Sequence, residues 1–329
     1  MPHQPLHQDV LLAMDTLLDD CIQLKVSDLH FEPDYQELLL RIRAEGKLQK
    51  YVKIPTIILK KIYQRFKVMA QLNITEQKKP QDGQWVWHHQ QLNKSVPCRL
   101  STCPVLYGEK LVVRLLQHPF ENASWGDIGM SEQQALIFTK HLQYQQGLIL
   151  VNGPTGSGKT TTLYTALNYL SDETKNIVSI EDPIEIPCSK INQVELVPNQ
   201  GFNLSTTLRT VLRQDPDIIL IGEIRDQETA ALALEASQTG HLVLSSIHSP
   251  NCLSSIDRLN YLGISPYNIK ESIHLIIAQK LVKNVTGARM AVFELLEMDV
   301  STPKVIQSFE EQLFKLFEAG IINYSELCK

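Results

Sequence analysis

Gly153-Pro154-Thr155-Gly156-Ser157-Gly158-Lys159-Thr160 is a complete G-x-x-x-x-G-K-[ST] stretch, the pattern of a phosphate-binding loop. An apolar run, 148–151, precedes it and a helical pattern, 160–170, follows. Strand, glycine loop and helix in that order are the context the pattern requires. Backbone N–H groups of the loop and the positive end of the helix then converge on an anion. Lys159 is placed to reach the β- and γ-phosphates of a nucleoside triphosphate, and the Thr160 hydroxyl to ligate Mg²⁺. The nucleotide-contacting set runs from Gly153 to Thr161.

At 329 residues the chain has room for about two domains. A formal net charge of −5 argues against a dedicated nucleic-acid binder. The six cysteines, Cys21, Cys98, Cys103, Cys188, Cys252 and Cys328, form no C-x-x-C pair. Neither a zinc spacing nor a secreted disulfide framework is indicated, and reduced thiols in the cytoplasm fit best. The chain shows no signal-peptide pattern, and no apolar stretch approaches the roughly 20 residues of a membrane span. Membrane contact is therefore expected to be peripheral or through a partner.

Two patterns divide the chain. Up to about residue 117, helix and strand signals mix, as in a small α+β domain. Leu38, Leu40 and Ile42 alternate with Arg41 and Arg43, which predicts a half-buried strand. Residues 57–72 have helical periodicity, 81–84 (Gln-Asp-Gly-Gln) read as a turn, and 99–102 and 110–116 as strands. Residues 118–131, with Pro119, Gly126 and Gly129, read as a linker. Beyond it, apolar strands at 148–151, 177–180, 218–221 and 242–247 alternate with helices at 205–213 and 227–237. Near-continuous apolar strands belong to a parallel sheet covered on both faces. This ATPase-like domain is expected over 132–298. After Ser249 the pattern is mostly helical, with 290–296 as a last strand and 299–329 as a helical tail.

A P-loop enzyme needs an acid that activates water and usually a second that holds the metal. Residues 218–223 form an apolar strand ending in Glu223, as in a Walker B element, but Gly222 occupies the metal-aspartate position. Glu181-Asp182-Pro183 ends another sheet strand, where ligands gather. It reads as a substitute metal site, as a turn, or as both. His248 follows a strand and reads either as a γ-phosphate neighbour or as a hydrogen-bonded structural residue. Arg99 and Arg114 are either solvated strand faces or arginines brought to the γ-phosphate. The basic stretch 41–67 is a solvated or protein-facing surface, with a nucleic-acid surface as the alternative.

In combination these residues resemble the secretion ATPases of type II secretion and type IV pilus systems. Ser27-Asp28-Leu29-His30-Phe31-Glu32-Pro33 is similar to the family's SDIHIEP signature, and Pro80-Gln81-Asp82-Gly83 matches its PQDG. Residues 98–102 and 108–114 match its arginine-bearing strands, 180–185 its Asp box, 212–226 its Walker B region and 239–248 its His box. The resemblance implies a RecA-like P-loop core with a smaller N-terminal α+β (PAS-like) domain. It implies ATP and Mg²⁺ as ligands, Glu223 as the water-activating acid, and Glu181, Asp182 and Glu185 as Asp-box acids. It puts Arg99 and Arg114 at the γ-phosphate and makes His248 a nucleotide sensor. Glycine at position 222 is the family pattern.

The family further implies a homohexameric cytoplasmic motor. Such a motor acts on a polytopic inner-membrane platform protein and on pilins indirectly, without contacting nucleic acid. Three departures stand out. The zinc-binding cysteine module is missing between 278–284 and 287–296, so no zinc is expected. No counterpart of the extra N-terminal domain of larger members is expected, and 249–252 (Ser-Pro-Asn-Cys) differs from the usual TNDA. This compactness is most similar to the competence-pilus assembly branch of Gram-positive bacteria, a motor for DNA uptake. The rivals are a pilus retraction ATPase and, from other classes, a DNA translocase or a nucleotide-gated scaffold.

Overall fold

The computed structural model describes residues 10–35, 37–44, 46–89, 94–116, 123–172, 174–196, 203–298 and 303–327. The chain divides into two compact units, Met1–His118 and Pro119–Lys329.

The first unit runs α1 (Val10–Gln23), β1 (Val26–Pro33), β2 (Glu37–Ala44), β3 (Lys47–Pro55), α2 (Thr56–Met69), β4 (Gln81–His89), β5 (Lys94–Val105) and β6 (Gly108–Leu115). Its six strands form one antiparallel sheet in the order β3-β2-β1-β6-β5-β4. Alternation decides which face is buried. Leu29 and Phe31, Leu38, Leu40 and Ile42, and Leu111 and Val113 all join α1 and α2 in one core. Phe66 of α2 stands at its centre, 5.2 Å from the Phe31 ring and 6.0 Å from Trp85. The intervening residues, Asp28, Arg43, Arg99 and Arg114 among them, lie on the opposite face.

Residues 81–84, read from sequence as a turn, lie inside β4. Gly83 is there for space: a Cβ would lie 2.3 Å from the Ala70 carbonyl oxygen and 2.8 Å from Leu72 Cδ2. The glycine lets the end of α2 approach the strand backbone.

The second unit runs α3 (Glu132–Leu142), β7 (Gly147–Asn152), α4 (Lys159–Leu170), β8 (Ile177–Glu181), β9 (Asn192–Glu195), α5 (Leu204–Val211), β10 (Ile218–Ile224), α6 (Gln227–Gln238) and β11 (Leu242–Ile247). It continues with α7 (Cys252–Tyr261), α8 (Pro266–Ser272), β12 (Ile273–Lys283), β13 (Arg289–Met298), β14 (Pro303–Gln307), α9 (Phe309–Glu318) and α10 (Tyr324–Leu327). The sheet order is β14-β13-β12-β7-β11-β10-β8-β9. Strands β12 to β9 in that order are parallel, and β13 and β14 extend the sheet antiparallel. The sheet is covered on both faces, as the apolar runs require. Leu148 and Leu150 enter the core containing α5, α6 and α7, whereas Ile149 and Val151 enter the core containing α3 and α4.

The mostly helical pattern expected after Ser249 is corrected here. Helices α7 and α8 are present, but Ile273–Lys283 is an eleven-residue strand beside β7. A continuous apolar run does not by its periodicity distinguish a buried strand from a buried helix. Of the expected helical tail, 299–302 and 328–329 lie outside the described residues, 303–307 form β14, and helices follow. Of the expected linker, 118–122 lie outside the described residues. Its remainder packs onto the second unit: Ile128 and Met130 are buried, and the Trp125 ring lies 5.0 Å from Phe138 and 5.8 Å from Tyr169. Among the described residues no helix is long and apolar enough to cross a membrane.

Candidate functional site

The loop 153–158 leaves the C-terminal end of β7 and feeds α4. Gly153 and Gly158 have φ of +145° and +95°, a region that side-chain-bearing residues avoid. A Cβ on Gly153 would also lie 2.2 Å from the Gln279 carbonyl oxygen of β12. Gln279 braces the loop's helix as well, its Oε1 accepting from Thr162 Oγ1 at 2.7 Å.

Helices α3 and α5 to α9 each begin with a capping side chain, Ser131, Asn203, Asp226, Asn251, Ser265 or Ser308. Helix α4 begins at Gly158, which has no side chain to offer. Its first-turn N–H donors are left for an anion. Ser157 Oγ is buried at the same loop with no protein hydrogen-bond partner. Lys159 Nζ donates to the carbonyls of Gly153 (2.8 Å) and Pro154 (3.2 Å). Burial lowers its pKa, with the charge of Glu185 pulling the other way.

Two strands away, β10 carries one extra residue relative to β11: Ile221 faces Ser245 and Ile224 faces Ile247. Gly222 and Glu223 form this bulge, a device that re-aims a side chain at a strand end. The two neighbouring serines satisfy its carbonyls. Ser245 Oγ donates to Ile221 O at 2.8 Å and Ser246 Oγ to Gly222 O at 2.7 Å. Glu223 is thereby turned toward His248, whose Nε2 lies 3.2 Å from Glu223 Oε2 and whose Nδ1 lies 3.2 Å from Gly153 O. Arg225 Nε pairs with Glu223 Oε1, and its Nη1 lies 3.9 Å from Asp182 Oδ2. Burial, then Lys159 and Arg225, lower the pKa of His248 against the opposing Gly153 contact.

Glu181, at the end of β8, is buried. Its Oε1 accepts from Tyr164 OH (2.6 Å), Ser179 Oγ (2.7 Å) and Gln193 Nε2 (3.3 Å). Burial still raises its pKa above the ordinary carboxylate value. Gly222 gives this arrangement room, since a Cβ there would lie 3.3 Å from Ile180 O and 3.5 Å from Glu181 Cα. A longer side chain at 222 would press on Glu181, which lies on the adjacent strand β8. Glu185 is exposed, and its charge acts on both Lys159 and Glu181.

Lys159, Glu181, Asp182, Glu185, Glu223 and His248 thus gather at one edge of the second unit's sheet. His241 does not join them. It sits at the opposite end of β11, where its Nδ1 lies 3.0 Å from the Ala236 carbonyl at the end of α6. Arg209 and Arg213 are exposed.

Arg99 and Arg114 belong to the first unit, where they are directly opposite on β5 and β6. Arg114 in turn faces Asp28 on β1, and Asp28 faces Arg43 on β2, so four charged residues stand in register across four strands. Asp28 is the buried member. Arg114 Nε donates to its Oδ1 at 2.8 Å, and Ser27 Oγ donates to its Oδ2 at 2.8 Å. Burial alone would raise the Asp28 pKa, but these bonds outweigh it and hold the carboxyl below its usual value.

Residues 4–315 match the family described as "Type II/IV secretion system protein". The chain belongs to that family. Among relatives, a "Protein transport protein HofB homolog" of Haemophilus influenzae is 43% identical over 289 residues, covering 86% of this chain and 62% of its own length. A "Type IV pilus assembly ATPase PilB" of Pseudomonas aeruginosa is 43% identical over 276 residues, covering 84% of this chain and 49% of its own. The chain therefore spans about half to three-fifths of these relatives. The solved ATPase DotB of Legionella pneumophila superposes with a TM-score of 0.79 over 100% of this chain and 97% of its own, at 22% identity. The secretion-family member described here shares that fold, with a RecA-like core.

Sequence reasoning did not single out Tyr164, Gln193, Ser245, Ser246, Arg225 or Gln279. Two adjacent serines inside an apolar central strand were the one available signal. The others act through contacts that no local pattern encodes.

Proposed function

We propose that this chain is an ATP-hydrolysing motor subunit of a type II secretion or type IV pilus-type machine. The observation that carries the reading is the uncapped N-terminus of α4 beside a re-aimed Glu223, with His248 bridging the two. Oriented donors at the loop hold the β- and γ-phosphates, and Lys159 exchanges its loop carbonyls for phosphate oxygens. Glu223 orients the attacking water and accepts its proton. Arg99 and Arg114 stabilise charge on the transferring phosphoryl group, and their place in the first unit makes that unit sensitive to its loss.

Among the described residues no three acidic, His or Cys side chains gather to cage a metal. Mg²⁺ keeps waters and substrate phosphates as ligands and needs only one or two protein groups. Thr160 supplies the hydroxyl, with Glu181 and Glu223 as the nearby carboxylates. Mg²⁺ held there would supply positive charge to offset that of the triphosphate.

The finer reading is a homohexamer on the cytoplasmic face of the membrane, acting on a polytopic platform protein and on pilins indirectly. Within that reading we place the chain in a competence-type assembly system, with retraction as the alternative. The short turn that joins β12 to β13 in place of a cysteine module supports the compact branch. A DNA translocase is disfavoured by the basic stretch itself. Arg41, Lys53, Arg65 and Lys67 pair with Glu32, Glu37, Asp15 and Glu109 of the same unit.

The deciding experiment is ATP hydrolysis with light-scattering mass, with and without duplex DNA, for wild type and Glu223→Gln. A six-subunit, DNA-indifferent ATPase silenced by the substitution is expected. Full turnover in Glu223→Gln would overturn the assignment, and strong stimulation by DNA would overturn the substrate class.

A further inference from the structure

We propose that Asn152 is a positioning residue for His248. From the end of β7 it holds the chain on both sides of the histidine, and so sets the ring against the loop 153–158 and Glu223. This rests on the reading of His248 as a group that hydrolysis uses.

His248 needs such a support. Its side chain is half exposed, so packing does little to fix the ring. The ring's contacts to Gly153 O and Glu223 Oε2 are each at 3.2 Å. Where the ring stands is therefore set by how the backbone on either side of it is held. Before it, Ile247 at the end of β11 is the register partner of Asn152 on the parallel strand β7. After it, Asn152 Nδ2 donates to the Asn251 carbonyl at 2.8 Å. One residue thus holds both ends of the segment 247–251. The next residue after Asn152 is Gly153, whose carbonyl faces His248 Nδ1. The ring and the carbonyl it meets are placed from the same point of the backbone.

The side-chain chemistry is specific to an amide. Asn152 is fully buried, and its nitrogen carries two N–H donors. The Asn251 carbonyl only accepts, which decides the end of the amide that faces it. The second N–H meets Ser255 Oγ in the first turn of α7. Ser255 Oγ lies 2.6 Å from Ser249 Oγ, so the network returns to the residue directly after His248. Asn251 is fixed in turn, its side chain capping α7 by accepting from Ser254 N at 2.8 Å. Pro250 between them restricts the backbone further. The stretch 249–252, which departs from the usual TNDA, supplies Ser249 and the Asn251 carbonyl to this network. A hydroxyl or aliphatic side chain at 152 offers at most one donor and cannot make both bonds.

The test is steady-state ATP hydrolysis by the intact protein for Asn152→Ala and Ser249→Ala, each alone and combined with His248→Ala. We expect Asn152→Ala to lower turnover about fivefold, the worth of one neutral hydrogen bond, with KM for ATP nearly constant. In the His248→Ala background the same substitution should cost nothing further, because the ring it places is gone. Ser249→Ala, at a half-buried position, should follow the same pattern with a loss of about twofold. It keeps the proposal testable if Asn152→Ala does not fold. Equal losses with and without His248, or no loss in the variants that fold, overturn the proposal. The imidazole nitrogen resonances of His248, identified by their loss in His248→Ala, read the placement without turnover and should shift in both variants. Resonances that stay put overturn the positioning itself. Resonances that shift while turnover is indifferent to His248→Ala overturn the use of His248 in hydrolysis and leave Asn152 as the residue that places it.

Discussion

His248 ties the loop 153–158 to strand β10: its two ring nitrogens face Gly153 O and Glu223 Oε2, each at 3.2 Å. Both facing atoms are acceptors, whereas a neutral imidazole has one N–H to give. The lowered pKa of His248 keeps it neutral at pH 7. The ring therefore donates to the loop or to Glu223, one at a time, and a change at either end is felt at the other.

His248→Ala should lower turnover roughly tenfold, the worth of one hydrogen bond to a charged group. The side chain is half exposed, so stability should stay within about 0.5 kcal/mol of wild type. Steady-state hydrolysis and a thermal melt check both. Unchanged turnover would reduce His248 to a structural bridge.

Much of this site is written locally in the sequence. The loop 153–160 and the apolar run ending in Glu223 are short patterns whose spacing carries their geometry, and strand alternation alone sets Arg99 opposite Arg114 on one face of the first unit's sheet. What could not be read depends on distance along the chain. Gln279 meets Thr162 across 117 residues, and Tyr164 meets Glu181 across 17. The strand containing Gln279 was itself hidden, because its apolar run fits helix and strand equally. The Gln-Asp-Gly-Gln stretch failed for a related reason: Gly83 serves a close approach by Ala70, a contact invisible in the local pattern.

Tyr164 and Glu181 supply a pH test. The Tyr164 hydroxyl bond lowers the Glu181 pKa against the upward push of burial. Tyr164→Phe removes that opposition, so the carboxyl rises further and protonates at higher pH. On the proposed role of Glu181 as an ionised carboxylate near the metal, the acid limb of the turnover–pH profile should move toward neutral pH while the alkaline limb stays. An acid limb at the wild-type position would show that Glu181 ionisation does not limit the reaction.

Asp28 positions Arg114. The carboxylate takes the Nε–H and leaves the terminal amino groups of a largely exposed guanidinium directed by that bond. Asp28→Asn weakens a charge-assisted bond without removing the acceptor. On the proposed role of Arg114 at charge that develops in the transition state, turnover should fall about tenfold with KM for ATP nearly constant. Asp28→Glu should not restore it, since the longer side chain shifts Arg114 relative to Arg99. Equal losses in binding and turnover would mean that Asp28 only stabilises the sheet.

His141 should make the second unit acid-sensitive. It is buried, its Nε2–H donates to Glu297 Oε1 at 2.7 Å, and burial outweighs that carboxylate in lowering its pKa. The folded state thus binds the His141 proton less readily than the unfolded chain, whose histidine titrates near 6.5. Between the two values the unfolded state carries more protons, so stability rises with pH. The contribution is whole above about pH 6.5 and declines as pH falls toward the folded value. Thermal midpoints should drop from pH 7.5 to 5.5, and His141→Gln should flatten part of that slope at some cost in stability at neutral pH. His274 titrates in the same direction and packs on Tyr144, which also meets the His141 ring. A slope unchanged in His141→Gln would assign the acid sensitivity to His274 and its neighbours.

Glu294 caps two helices with one carboxylate. Its Oε1 accepts from Cys252 N at the start of α7 at 2.8 Å, and its Oε2 accepts from Phe309 N at the start of α9 at 3.4 Å. Both donors are first-turn groups with no partner inside their own helices. Because β13 supplies the carboxylate, the strand, α7 and α9 form one mechanical piece behind the nucleotide edge. Glu294→Ala leaves both donors buried and should cost about 2–6 kcal/mol, the sum of two unsatisfied groups. Glu294→Gln keeps one acceptor oxygen and should cost about half as much. Tripolyphosphate binding at the loop should survive in the glutamine variant, measured below its melting temperature. Equal losses in the two variants would show that charge rather than capping geometry gives Glu294 its value, since both substitutions remove the charge but only alanine removes the acceptor.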